Sequence, residues 1–199
     1  MPCARRVHPI EQESYRILRS RVDTSHLPPL SRAVVERVVH TMADPTWLGD
    51  VVTDEAALRQ GRAALLAGAP LVVDVRMVAA GVTAREPVVA IDLAVAAEGT
   101  TRSAAGIRAA AEQHPDGAVW AIGNAPTALA ELVRLAAEDR VRPALVVGMP
   151  VGFVGSVAAK AALRASGLPS VSCATERGGA AVAAATVNAL LYAEEDGDA

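Results

Sequence analysis

The spacing of apolar residues changes character near residue 50. Ahead of it they recur at helical intervals, so residues 11–22 predict one helix and residues 30–43 a second, with Leu30, Val34, Val35, Val38 and Val39 on one stripe. Leu27-Pro28-Pro29 separates the two, because proline lacks the amide a helix interior needs. Beyond Thr53 amphipathic stretches alternate with short aliphatic runs. Residues 54–67 predict a helix stopped by Gly68, followed by the strand Leu71-Val72-Val73-Asp74-Val75, whose alternation would put Asp74 and Arg76 on one side. A second run, Val88-Val89-Ala90-Ile91, follows a loop. Strands are then expected near 118–122, 144–148 and 169–173, alternating with helices at about 103–113, 126–139, 156–166 and 179–194. Such alternation predicts an α/β fold: one doubly wound, mostly parallel sheet with helices on both faces. Residues 1–199 are read as one domain, with 1–50 a helical arm or cap and 194–199 an acidic tail.

Two turns stand out. Gly123-Asn124-Ala125-Pro126-Thr127 and Gly148-Met149-Pro150-Val151-Gly152-Phe153-Val154-Gly155 each join an aliphatic run to an Ala-rich helical stretch. In an open parallel sheet such turns lie beyond the carboxyl ends of the strands, where ligands bind. Glycines allow close backbone approach and the following helix offers amides to an anion, so a negatively charged ligand is expected there. The second turn contains neither G-x-G-x-x-G nor G-x-x-x-x-G-K-[ST], which argues against a nucleotide-binding Rossmann-like reading.

Composition narrows the class. Hydrophobic residues make up 52% of the 199 but aromatics only 3%, so the core is expected to be built mainly from Ala, Val and Leu. A formal charge of -3 without a Lys/Arg cluster argues against a nucleic-acid surface and leaves any anion to local arginines and helix ends. Cys3 and Cys173 form no CxxC pair, so neither a metal motif nor a disulfide framework is expected. The opening Met1-Pro2-Cys3-Ala4-Arg5-Arg6 does not read as a signal peptide, and no apolar run is long enough to span a membrane; a cytoplasmic protein is expected.

Individual residues have plain readings as well as functional ones. His40, on the second helix, would by itself suit a packed or surface role, and His8, His26 and His114 are expected at the surface. Asp74 suits an internal ion pair that fixes a loop as well as it suits a ligand contact. Ser103 is a candidate N-cap, Pro126 suits a first helical turn, and Arg177-Gly178-Gly179 either grips a carboxylate or makes a flexible turn.

Taken together, Glu13-Ser14-Tyr15, Val38-Val39-His40-Thr41, Gly61-Arg62-Ala63-Ala64-Leu65-Leu66-Ala67-Gly68-Ala69-Pro70, Asp74-Val75-Arg76-Met77-Val78, Thr101-Arg102-Ser103-Ala104-Ala105 and the two turns give a chain that resembles the precorrin-8X methylmutase (precorrin isomerase) family. The resemblance implies an isomerase of cobalamin biosynthesis that moves a methyl group from C11 to C12 of a tetrapyrrole by a 1,5-sigmatropic shift, without a cofactor or protein-bound metal. It implies a homodimer whose sites are completed by the partner subunit, with the tetrapyrrole, metal-free or cobalt-containing, as the other partner. His40 would be the catalytic acid protonating a ring nitrogen. Ser14, Arg76, Thr101, Arg102, Ser103, Gly123, Asn124, Ala125, Pro126, Thr127, Gly152, Phe153, Val154, Gly178 and Gly179 would contact the substrate. This chain departs from the family pattern at Ala158, Ala159 and Ala180 and in a short 88–101 segment. The alternative is a noncatalytic corrinoid-binding protein with the same pocket.

Overall fold

The computed structural model describes residues 8–96 and 98–193; Cys3 and the acidic tail lie outside them. The elements, in chain order, are α1 (Pro9–Arg21), α2 (Pro29–Met42), a 3₁₀ turn (Pro45–Gly49), β1 (Val51–Val52), α3 (Glu55–Leu66), β2 (Leu71–Val73), α4 (Arg76–Gly81), β3 (Val88–Val89), a second 3₁₀ turn (Ala90–Leu93), α5 (Arg102–Gln113), β4 (Val119–Ile122), α6 (Pro126–Ala137), β5 (Leu145–Gly148), α7 (Ser156–Ala165), β6 (Ser170–Cys173) and α8 (Ala180–Tyr192).

The six strands form one sheet in the order β1-β6-β5-β4-β2-β3, parallel throughout except for β1, which runs antiparallel to β6. Alternation along the strands decides which core each residue enters. Leu71, Val73, Val119, Ala121, Leu145 and Val147 join one apolar cluster with α2, α3 and α8, while Val72, Trp120, Ile122 and Val146 join the other with α5, α6 and α7. Small residues let the layers approach: a Cβ placed on Gly61 of α3 would stand 2.4 Å from the Leu145 side chain.

Three expectations change. The strand from Leu71 ends at Val73 and a short helix starts at Arg76, so Asp74 and Arg76 do not share a strand face. Only Val88 and Val89 of the second aliphatic run are extended, the 3₁₀ turn following at once. The apolar stripe of α2 is buried within the chain against α8 and α3, so α2 is a layer of the core rather than part of a separate arm. Glu55, at the start of α3, accepts the Leu30 and Ser31 amides at the N-terminus of α2 and fixes that layer in place.

Candidate active site

The carboxyl ends of β2, β4, β5 and β6 carry most of the residues singled out from sequence. Thr101 caps α5 by accepting the Ala104 amide at 3.2 Å, so the cap is Thr101 and not Ser103, which lies inside the first turn. The Thr101 hydroxyl also donates to Thr127 Oγ1 at 2.9 Å, joining the starts of α5 and α6. Gly152 and Gly155 pass close to Pro126, which brings the loop after β5 against the start of α6. Phe153 and Val154 project from that loop, 96% and 89% exposed. Arg102 is exposed and has no hydrogen-bond or ion-pair partner among the described residues, whereas Arg76, also exposed, is held by Asp92 at 2.8 Å. Arg102 is thus the more available donor for a carboxylate.

Asp74 takes a role that neither of its readings from sequence contained. Its buried carboxylate accepts the amides of Gly123 at 3.1 Å, Asn124 at 2.8 Å and Ala125 at 3.0 Å, and it makes no ion pair among the described residues. Burial pushes its pKa up, and the three amide bonds oppose that rise. The anion expected at these amides is therefore supplied by the chain itself. A ligand at this turn is left with the Asn124 side chain, Pro126 and Thr127.

His40 lies near the C-terminus of α2. Its Nδ1 is 2.9 Å from Ser14 Oγ, and the Tyr15 ring stacks on the imidazole with centroids 4.8 Å apart and planes 8° from parallel. Ser14 and Tyr15 reach it because α1 lies along α2. Burial lowers the His40 pKa, the nearby Arg37 charge lowers it further, and Glu11, paired with Arg37 at 3.0 Å, opposes both. Burial also raises the pKa of Tyr15. A recess of about 130 Å³ opens beside His40, lined by Ser14, Leu18, Arg21, Val39 and Pro45 among others. None of the residues from the strand ends lines it.

Arg177 connects the two regions. From the loop after β6 its guanidinium pairs with Asp44, donates to Thr46 Oγ1 at 2.9 Å and lies 4.1 Å from the centroid of Trp47, all in the turn that follows α2. It is neither a free carboxylate grip nor part of a loose turn. Gly178 has φ +155, and a Cβ there would stand 2.3 Å from the Met149 carbonyl oxygen, so this loop packs directly on the one after β5. The stacking of Tyr15 on His40 and the charges of Arg37 and Glu11 near it were not read from sequence. The signal was available, since Glu11, Ser14, Tyr15 and Leu18 fall on one face at i, i+3, i+4 and i+7.

Fold and residues together define a mostly parallel α/β protein with glycine-containing loops at its strand ends and a histidine held between its first two helices. The precorrin-8X methylmutase family model matches residues 9–193, and the chain belongs to that family. It is 39% identical to the precorrin-8X methylmutase of Pseudomonas aeruginosa over 94% of this chain and 95% of that one. It is also 39% identical to the cobalt-precorrin-8 methylmutase of Methanocaldococcus jannaschii, over 82% and 80% of the two chains. The crystal structure of the precorrin-8X methylmutase from Thermus thermophilus superposes with a TM-score of 0.83 at 35% identity, covering 92% of this chain and 96% of that one.

Proposed function

We propose that this chain is an isomerase that converts precorrin-8X, or its cobalt form, by moving a methyl group from C11 to C12 of the macrocycle. The C11–methyl bond breaks and the C12–methyl bond forms, with no net gain or loss of electrons, so no redox cofactor is called for. His40 protonates a ring nitrogen, which draws electron density out of the conjugated system toward that nitrogen and leaves C12 a better acceptor for the migrating methyl group. The observation that carries this role is the Ser14–His40 contact: with Nδ1 engaged at 2.9 Å, Nε2 is the nitrogen left for substrate. Lowering of the imidazole pKa by burial makes its protonated form a stronger acid. Arg102, with the exposed edge at Phe153 and Val154, binds the carboxylate periphery and the apolar face of the ring.

The working unit in this reading is a homodimer. A recess of about 130 Å³ beside His40 falls short of the roughly 300–1,000 Å³ of a small-molecule site, and a second copy supplies the missing wall. The compartment in this reading is the cytoplasm, which suits the buried free thiol of Cys173. No helix among the described residues is long and apolar enough to cross a membrane.

Purified His40→Ala tests the chemistry. It is expected to bind the tetrapyrrole with near-normal affinity and to lose turnover by about a hundredfold or more, as general acids do. Turnover close to wild type removes His40 from the mechanism, and a spectral change that saturates at one equivalent in the wild-type protein favours the noncatalytic binding alternative.

A further inference from the structure

Lys160 lies on α7, is fully buried, and has no part in the chemistry proposed above. Its ammonium donates to the carbonyl oxygens of Pro150 at 3.1 Å and Arg177 at 2.7 Å and to that of Thr175, with the Cys173 sulfur 3.2 Å away. Three N–H donors thus meet three backbone carbonyls, one from the loop after β5 and two from the loop after β6. The Cys173 thiol itself donates to the Arg177 carbonyl, so its sulfur turns lone pairs toward the ammonium as a further, weak electrostatic contact.

The same two loops are tied directly as well. The Gly152 amide donates to the Glu176 carbonyl at 3.1 Å and the Gly179 amide to the Met149 carbonyl at 2.8 Å. Carbonyls crowded at this junction repel one another unless a positive charge stands among them, and Lys160 is the charge provided. One of the residues whose backbone it holds is Arg177, whose side chain grips Asp44 and covers Trp47. That turn begins where the Ala43 and Asp44 amides bond back to the His40 and Val39 carbonyls.

We infer that Lys160 is a positioning residue: its ammonium locks the loops 149–155 and 174–179 to one another and, through Arg177, fixes the turn that follows His40. The inference rests on the reading that His40 and this edge serve the isomerisation, and its test separates the two.

The test is Lys160→Ala, measured alone, with n-propylammonium, which carries the atoms the substitution removes, and with 1-propanol, of similar volume and no charge. Amide hydrogen exchange at Gly152 and Gly179 is expected to accelerate about tenfold or more, the scale of a lost charge-assisted hydrogen bond, while exchange at Trp120 in β4 stays unchanged. Turnover is expected to fall by a similar factor, and n-propylammonium to restore both where 1-propanol restores neither. Unchanged exchange, normal turnover, or equal rescue by the alcohol overturns the inference, the last because it reduces Lys160 to a space-filler. If Lys160→Ala does not fold, Lys160→Met is measured for exchange and turnover. Arg177→Gln, which keeps the lysine contacts and breaks only the guanidinium link, is expected to retain loop protection and lose turnover; full turnover overturns the connection to His40. Wild-type protein without turnover counts against the isomerase reading alone, since the exchange and rescue measurements report on Lys160 independently.

Discussion

Burial and the Arg37 guanidinium both favour the neutral imidazole at His40, and Glu11 alone among its charged neighbours favours the protonated one. If the acid form does the work, as proposed above, turnover should fall as pH rises through a pKa below the ordinary 6.5. Arg37→Gln removes one charge that depresses this pKa, which should therefore rise. The alkaline limb of the rate profile should therefore move to higher pH in Arg37→Gln and to lower pH in Glu11→Gln, with the His40 ring titration by NMR moving in step. Stability follows linkage: with the folded pKa depressed, the unfolded chain binds the His40 proton more readily below 6.5, and this contribution weakens the fold as pH falls through that window. An unshifted limb in both variants would mean that His40 does not set the rate profile.

At the scale of elements, Asp74 shows how a strand end becomes a structural anchor. Asp74→Asn keeps an oxygen for two amides but turns an NH₂ group toward the third, leaving one buried donor unpaired at a cost of about 1–3 kcal/mol. Chemical denaturation should show that loss, and substrate affinity should fall with it because the turn at residues 123–125 loosens; unchanged stability would mean that the three amides find other partners. The long elements were legible in the sequence because their periods are clean: each helix from α5 to α8 falls within a few residues of its expected range, as do β4 to β6. The failures are short. Six residues of α4 following almost directly on β2, and two residues of β1 paired antiparallel at the sheet edge, carry too little periodicity to register. Lys160 was illegible for another reason: a lysine in an Ala-rich helix reads as solvent-facing until two loops, distant in sequence, converge on it.

At the scale of the molecule, the His40 recess and the strand-end edge are the two halves of one difficulty. Ser14, Tyr15 and His40 are assembled by α1 and α2, while Arg102, Asn124, Thr127 and Phe153 stand along the carboxyl edge of the sheet. In the proposed reading a macrocycle bearing several carboxylates needs both sets, and the recess beside His40 is lined by Ser14 and His40 of the first and by none of the second. A two-fold dimer resolves this if the edge of one copy faces the recess of the other, because an isologous interface repeats every such contact twice. Complementation tests it. His40→Ala and Arg102→Ala should each be nearly inactive, and unfolding and refolding them together should give about half heterodimers by random pairing. A site that combines His40 of one copy with Arg102 of the other is then intact once per heterodimer, so the mixture should recover about a quarter of wild-type turnover. A site made within a single copy gives no such recovery, because each chain carries one defect. Sedimentation of the wild-type protein at micromolar concentration supplies the companion measurement: a monomer with full turnover would leave the second wall of the site to be found within the chain itself.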